Sequence, residues 1–319
     1  MIATGALLGA PLVQAQQDDR RVRIAILEDG NEGATEARWR EFRNRLRELG
    51  WVAVKNLVLE ARFSGGARER LPALVAELVA LKPDVIVAST TPTARAAMRA
   101  TSSIPIVFVS VAEPVAAGLV PNLARPGGNV TGQALMTVEI SSKWLEILTE
   151  ILPGARKFAF LGQASNQGIA AVFAAMQETA RTHNYTVRLL EATVPQEIDR
   201  AFALMVDEKF DAFVVAFAPV ILRNRQRIVD LAARHRLPGA YARDEYVAAG
   251  GLLSYSPDWN TMFRTTANQV HRVLQGTKPG ELPIEQPTKF DLQINLKTAK
   301  ALGIKIPQTV LVRADRVIE

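Results

Sequence analysis

The stretch Asp84–Ala94 reads DVIVASTTPTA and contains the unit on which the fold is built. Its first part, DVIVA, is a short run rich in β-branched residues, which is typical of a strand buried on both faces of a parallel sheet. A turn rich in hydroxyl groups follows, and we predict a helix over Ala94–Ala100 with Thr91 as its N-cap and Pro92 as its first residue. A strand that leads directly into a capped helix indicates an α/β protein.

Short apolar runs alternate with amphipathic stretches on both sides of this unit. The predicted strands are Arg23–Leu27, Asn56–Phe63, Asp84–Ala88, Ile106–Val109, Lys157–Leu161, Thr186–Leu190 and Asp211–Val215. The other predicted helices are Glu36–Leu49, Glu69–Leu81, Phe173–His183 and Ile198–Val206. This alternation predicts parallel sheets with helices on both faces.

The alternation repeats with an offset near 130 residues. Arg23 and Lys157 begin similar strands 134 residues apart, and Asp84 and Asp211 are 127 residues apart. We interpret the repeat as two Rossmann-like α/β lobes in tandem; the alternative is a chance agreement of ordinary β-α spacing. The predicted division is lobe 1 over 20–133 plus about 256–285, lobe 2 over 134–255, and a C-terminal segment over 286–319 that completes the lobes.

The composition excludes several classes of protein. The chain has 319 residues, of which 48% are hydrophobic and 22% charged, as in an ordinary globular protein and unlike a disordered one. The net charge is +6, but acidic residues are interleaved with the basic ones, so we expect no nucleic-acid partner. There is no cysteine, and the three histidines lie far apart, so we expect no metal site. The nucleophile-elbow, dinucleotide and zinc-protease motifs are absent, and we expect neither a cofactor nor catalysis.

The first residues read MIATGALLGAPLVQAQQ and resemble a secretory signal. Within the signal-like segment over 1–19, apolar and small residues run from Ile2 to Val13, which is too short to span a bilayer, and a cleavage site follows Ala15. We therefore expect export to the periplasm. The usual basic start of such a signal is missing, so the alternatives are a basic or twin-arginine leader encoded upstream, or a plain apolar N-terminus.

Ligands of open α/β sheets bind at the carboxyl ends of the strands, so the residues that follow the strands form the predicted site. The candidates are Thr90, Thr91, Ser110 and Glu113 from lobe 1, with Asn166, Phe217, Tyr241 and Glu245 from lobe 2. Hydroxyls and backbone N–H groups at a helix N-terminus suit a ligand carboxylate. Glu113 or Glu245 would meet an ammonium group, while Phe217 and Tyr241 would cover an apolar or aromatic part. The plainer alternative is that Thr91 only caps its helix and that Glu245 lies on the surface.

Several longer runs resemble a known family across nearly the whole chain. They are Ala76–Asp84 (AELVALKPD), Ile104–Pro114 (IPIVFVSVAEP), Leu123–Gly132 (LARPGGNVTG), Ala249–Tyr255 (AGGLLSY) and Gln286–Gly303 (QPTKFDLQINLKTAKALG). These runs are similar to those of solute-binding proteins of tryptophan/tyrosine-type ABC uptake systems. The resemblance implies a type I periplasmic-binding fold, with two lobes, three hinge crossings and a ligand between the lobes. Family members often carry Arg-Glu-Phe-Val before a Gly-Gly pair, whereas this chain has Asp244-Glu245-Tyr246-Val247.

The sequence therefore predicts a non-enzymatic, monomeric receptor that captures a small carboxylate-bearing solute, an amino acid or an aromatic acid. Its expected partners are the ligand and an ABC permease with its ATPase, and it would meet the membrane only through the permease. Two alternatives stay open at this point. One is a cytoplasmic ligand-sensing regulator domain of the same fold, and the other is a Rossmann-type enzyme.

Overall fold

The computed structural model describes residues 21–33 and 35–319, which form two α/β lobes facing each other across a cleft. The predicted signal-like segment over 1–19 lies outside the described residues. Within the described part of the chain, no helix combines the length and the apolar character needed to cross a membrane.

The first sheet has five strands, all parallel, in the order β2-β1-β3-β4-β5. These strands are β1 (Val22–Glu28), β2 (Leu57–Phe63), β3 (Val85–Thr90), β4 (Ile106–Val111) and β5 (Val130–Ala134). The helices that connect them are α1 (Glu36–Glu48), α2 (Leu71–Ala80) and α3 (Thr91–Ala100). Each strand of the central pair, β3 and β4, is buried along its whole length, as the apolar runs predict.

The second sheet has seven strands in the order β12-β11-β10-β9-β8-β6-β7. These are β6 (Lys157–Gly162), β7 (Thr186–Glu191), β8 (Ala212–Val215), β9 (Gly239–Tyr241), β10 (Leu253–Pro257), β11 (Phe290–Asn295) and β12 (Arg316–Ile318). The remaining helices are α4 (Thr137–Ile151), α5 (Gln167–Thr182), α6 (Pro195–Asp207), α7 (Pro219–Leu222), α8 (Arg225–His235), α9 (Asp244–Ala248), α10 (Trp259–Leu274), α11 (Leu296–Leu302) and α12 (Gln308–Leu311). Only the β10–β11 pair is antiparallel.

The two sheets share one strand order. In the first sheet, β1 lies between β2 and β3, and β4 and β5 follow; in the second, β6 lies between β7 and β8, and β9 and β10 follow. The prediction of two Rossmann-like lobes is confirmed. Because the sheets face each other with equivalent edges, the carboxyl ends of both sets of central strands meet at the cleft.

The chain passes between the two lobes three times. It leaves the first sheet after β5, returns after β10 to form α10, and leaves again before β11. Helix α10 packs its Met262 and Phe263 side chains in one apolar cluster with Trp39 and Phe42 of α1. Because β11 and β12 extend the second sheet, we propose that 286–319 belongs to lobe 2. For the rest of the chain we propose the predicted boundaries, which are 20–133 plus about 256–285 for lobe 1 and 134–255 for lobe 2.

The start of α3 corrects one detail of the sequence prediction. The helix begins at Thr91, and its N-cap is Thr90, whose backbone is extended (φ −141°, ψ 175°) as an N-cap requires. The Thr93 hydroxyl accepts a hydrogen bond from the Thr90 N–H at 2.8 Å and donates one to the Thr90 carbonyl at 2.8 Å. Strand β3 therefore runs two residues further than predicted, and Pro92 becomes the second helical residue.

Candidate ligand-binding site

A cavity of about 210 Å³ lies between the lobes, and we call it the arginine cavity. Since one water needs only about 10–15 Å³, it has room for an organic molecule. Its first-lobe lining comprises Glu28, Gly30, Asn31, Thr35, Arg38, Ser89, Thr90 and Ser110, with Trp259 and Phe263 of α10. Its second-lobe lining comprises Phe217, Leu222, Arg223, Arg225, Arg243 and Glu245.

A second cavity adjoins the first and shares Thr90, Ser110 and Phe217 with it; we call it the adjoining cavity. The N-termini of two helices, one from each lobe, line it. Thr91 and Pro92 contribute the first turn of α3, and Asn166 and Gly168 contribute the start of α5. The first backbone N–H groups of a helix have no partner within the helix and carry positive dipole charge, so both termini attract anions.

Two buried arginines and two carboxylates form a network across the cleft. Arg38 of α1 places Nη2 2.7 Å from Asp244 Oδ1 and Nη1 2.8 Å from Glu245 Oε1. Arg243 donates to both oxygens of Glu245, from Nε at 3.0 Å and from Nη2 at 2.7 Å. Arg243 thus holds Glu245 within the second lobe, while the Arg38 pairs join the two lobes.

Desolvation affects the carboxyl of Asp244 in this network. Burial raises its pKa to about 6, the Arg38 charge lowers it, and the nearby Glu245 charge raises it again. The Asp244 carboxyl therefore keeps its proton to a higher pH than an exposed aspartate does.

Aromatic rings cover the two buried arginines. The guanidinium carbon of Arg243 lies 4.0 Å from the ring centre of Trp259 and 4.8 Å from that of Phe217. The guanidinium carbon of Arg38 lies 4.9 Å from the Trp259 ring. These distances are typical of cation–π contacts, which hold the guanidinium groups in place beside the cavity.

Glu28 is a buried acid at the end of β1, and 4% of its surface is exposed. Its Oε1 accepts from the Gly30 N–H at 2.8 Å, and its Oε2 accepts from the Trp39 indole N–H at 2.8 Å. Burial raises the pKa of the Glu28 carboxyl, and these hydrogen bonds only partly offset that shift. The protein therefore holds a proton at this position more strongly than an exposed glutamate would.

A raised pKa in the folded protein makes stability depend on pH. The contribution of Glu28 is full below the pKa of the unfolded chain and is lost as pH rises through the folded-state pKa. We expect the free energy of unfolding of the wild type, relative to Glu28→Gln, to fall as pH rises above the ordinary pKa of a glutamate. Urea titrations across this range measure the difference. Glu32→Gln, at an exposed position, is the control, and a difference that stays constant for Glu28→Gln contradicts the assignment.

The structure brings most of the predicted residues together. Thr90, Ser110 and Phe217 line both cavities, Glu245 lines the arginine cavity, and Thr91 lines the adjoining one. Asn166 also lines the adjoining cavity, where its Oδ1 accepts from the Gly168 and Ile169 N–H groups. The Ser110 hydroxyl already donates to the Ser89 carbonyl at 2.6 Å, so it offers a ligand its acceptor side.

Two predicted residues lie elsewhere. Tyr241 is 1% exposed, its ring stacked on Tyr246 and edge-on to Phe213 in the core of lobe 2, away from both cleft cavities. Glu113 faces the start of α4, where Oε1 lies 3.3 Å from the Val138 N–H and 3.4 Å from the Thr137 hydroxyl. Glu113 therefore contacts the segment in which the chain first crosses between the lobes, and it lines neither cavity.

Comparison with known proteins assigns the family. Residues 24–318 match the family described as ABC transporter substrate binding protein. The chain belongs to this family. A curated relative, the tyrosine-binding protein of Clostridioides difficile (strain R20291), is 26% identical over 265 residues, which are 83% of this chain and 76% of that protein.

Solved structures with the same fold support this family assignment. A conserved domain protein from Vibrio cholerae is 27% identical, with a TM-score of 0.87 over 93% of this chain and all of that one. An ABC domain from Streptococcus pneumoniae in complex with L-Trp is 25% identical, with a TM-score of 0.87 over the same shares. This agreement confirms both the family resemblance and the type I periplasmic-binding fold.

The most prominent charged residues of the cleft were missed at the level of sequence. Arg38 lies within α1, and Arg223 and Arg225 belong to a basic stretch that reads as a solvated helix face. Glu28 ends β1 and Arg243 lies two residues after β9, at the positions where candidates were sought, so the same criterion applied to both strand ends in full would have found them. Trp259 enters the cleft from the segment after the second crossing, where no strand end marks it.

Proposed function

We propose that this protein is the extracytoplasmic receptor of an ABC importer and that it holds a small carboxylate-bearing solute, an amino acid or an aromatic acid, between its lobes without altering it. The observation that carries this proposal is the combination of donors and aromatic rings in one closed cleft. The positive dipole ends of two helices attract a carboxylate, the arginine side chains supply donors for it, and Phe217, Trp259 and Phe263 supply an apolar wall.

The carboxylate would lie near Thr90, Thr91 and Ser110, where the first turn of α3 meets the cavity. The relatives support a solute of this chemistry, since one is named a tyrosine-binding protein and another was solved with L-Trp. Closure would bring Arg38 onto Asp244 and Glu245, and the closed form would dock on the permease as a monomer. The intact mass of protein recovered from the periplasm tests the export part, with cleavage after Ala15 expected.

A thermal-shift screen of amino acids and aromatic acids tests the proposed capture. A solute at a hundredfold its Kd should stabilise the native protein by about 2.7 kcal/mol and raise Tm accordingly. The solute released afterwards should have its original mass, because no chemical step is proposed. Failure of every carboxylate in the screen to raise Tm, or recovery of an altered solute, would contradict this function.

A further inference from the structure

The arginine cavity has more cationic groups than anionic ones and a buried hydrogen-bond donor without an acceptor. Both features bear on the class of solute that it binds. We propose that the preferred ligand is an aromatic carboxylate that lacks an ammonium group, and not an amino acid; this inference rests on the proposed function.

The carboxylates that line the cavity already have partners. Both oxygens of Glu28 accept from protein N–H groups, and both oxygens of Glu245 accept from Arg243. Asp244 and Glu245 also face Arg38. An ammonium group entering the cleft would therefore find no carboxylate free of a protein donor, and its own hydration would be lost on closure.

The cationic groups of the cavity exceed its anionic groups. Four arginines line it, Arg38, Arg223, Arg225 and Arg243, against the carboxyl groups of Glu28 and Glu245 and that of Asp244 on Arg38; Arg223 and Arg225 lie at the exposed side of the cavity. Among the described residues, no carboxylate lies within 4 Å of Arg223 or Arg225. A zwitterion, which has no net charge, would leave this excess in place, whereas a monoanion would reduce it.

A buried donor in the lining also lacks an acceptor. Within the described chain, Trp259 Nε1 is buried without a hydrogen-bond partner, and Trp259 is 6% exposed. An indole N–H can only donate, so it needs an acceptor. A carboxylate supplies acceptors and an ammonium group supplies none. The aromatic part is indicated by Phe217, Trp259 and Phe263 in the same lining.

Matched ligand pairs test the inference by isothermal titration at neutral pH. The pairs are tryptophan with indole-3-propionate, tyrosine with 3-(4-hydroxyphenyl)propionate, and phenylalanine with 3-phenylpropionate. Each pair keeps the ring and the carboxylate and differs in the ammonium group. We expect the acid to bind about tenfold or more tightly than its amino acid in the pair whose ring binds best. An amino acid that binds more tightly than its matched acid overturns the inference and leaves the proposed function standing; no binding by any member or by other carboxylates overturns both.

A charge variant tests the physical reason for the preference. Arg225→Gln removes one unpaired cation from the cavity lining, and Arg234→Gln removes an equally exposed arginine from the other end of the same helix, α8, which lines neither cleft cavity. We expect Arg225→Gln to lower the ratio of acid to amino-acid affinity about threefold at low ionic strength and Arg234→Gln to leave it unchanged. An equal ratio in wild type and Arg225→Gln overturns the electrostatic basis of the inference.

Discussion

Replacing Arg243 by glutamine is expected to weaken solute binding by about thirtyfold or more. Arg243 is 4% exposed, holds both oxygens of Glu245, and lies against two aromatic rings of the cavity. Removing one member of a buried, hydrogen-bonded charge pair costs about 2–5 kcal/mol, because the remaining charge stays buried without its partner. In this protein the remaining charge is Glu245, which Arg38 must then balance alone from the opposite lobe. Isothermal titration with the best carboxylate of the screen measures the loss.

The control for Arg243→Gln is Arg181→Gln, which breaks an Arg–Glu pair on the exterior of α5. Exposed pairs contribute about 0–1 kcal/mol, so this variant should bind like the wild type. Glu245→Gln keeps the shape of the side chain and removes the charge shared by both arginines, and it should also weaken binding. Wild-type affinity in both cleft variants, with circular dichroism showing that they are folded, would place the solute elsewhere.

Gly132→Ala is expected to lower the free energy of unfolding by about 3 kcal/mol or more. Gly132 lies in β5 with a φ of +147°, and an added Cβ would lie 2.2 Å from the carbonyl oxygen of Phe108 and 2.4 Å from its ring. The Gly132 carbonyl also accepts from Gln269 Nε2 and from the Glu285 N–H, both at 3.0 Å, so the strand cannot shift without losing these bonds. Urea unfolding curves measure the change.

Gly154→Ala is the matched control, since an added Cβ there meets no atom within 4 Å and the backbone φ is ordinary. We expect a change within about 0.5 kcal/mol of the wild type. Equal stability of the two variants would mean that β5 moves away from Phe108 at little cost, contrary to the packing described above.

The fold was readily predictable because its signals are local. The strands β1, β3, β4 and β8 are largely apolar runs, and the helices α3 and α6 begin beside residues rich in hydroxyl groups or proline, so this alternation can be recognised without knowledge of contacts. The β3 strand and α1 helix were placed to within two residues at each end. The strands β5, β9 and β10 and the short β12 were not predicted, nor was the antiparallel β11. The strand β11 pairs with β10 and β12 pairs with β11, and no local sequence pattern indicates this pairing.

The site was only partly predictable because its chemistry comes from the approach of distant segments. Thr90, Ser110 and Phe217 lie at strand ends and were found by that rule. Arg38 reaches the cleft from the first turn of α1, and only the approach of the two lobes gives it Asp244 and Glu245 as partners. Tyr241 was predicted to line the site because it ends a strand, but it does not reach the cleft. Successive side chains of a strand point to opposite faces of the sheet. The Tyr241 ring enters the layer between sheet and helix, where Phe213 and Tyr246 bury it.

The shared strand order of the two lobes has a kinetic consequence. Each lobe carries its own anion-attracting helix terminus, α3 in one and α5 in the other, so attraction of a solute does not require the lobes to meet. In the proposed closure, Arg38 reaches the acids of α9, and this second event would be unimolecular. We expect capture to show two phases in stopped-flow traces, a bimolecular encounter that slows as ionic strength rises, followed by a closure rate independent of solute concentration.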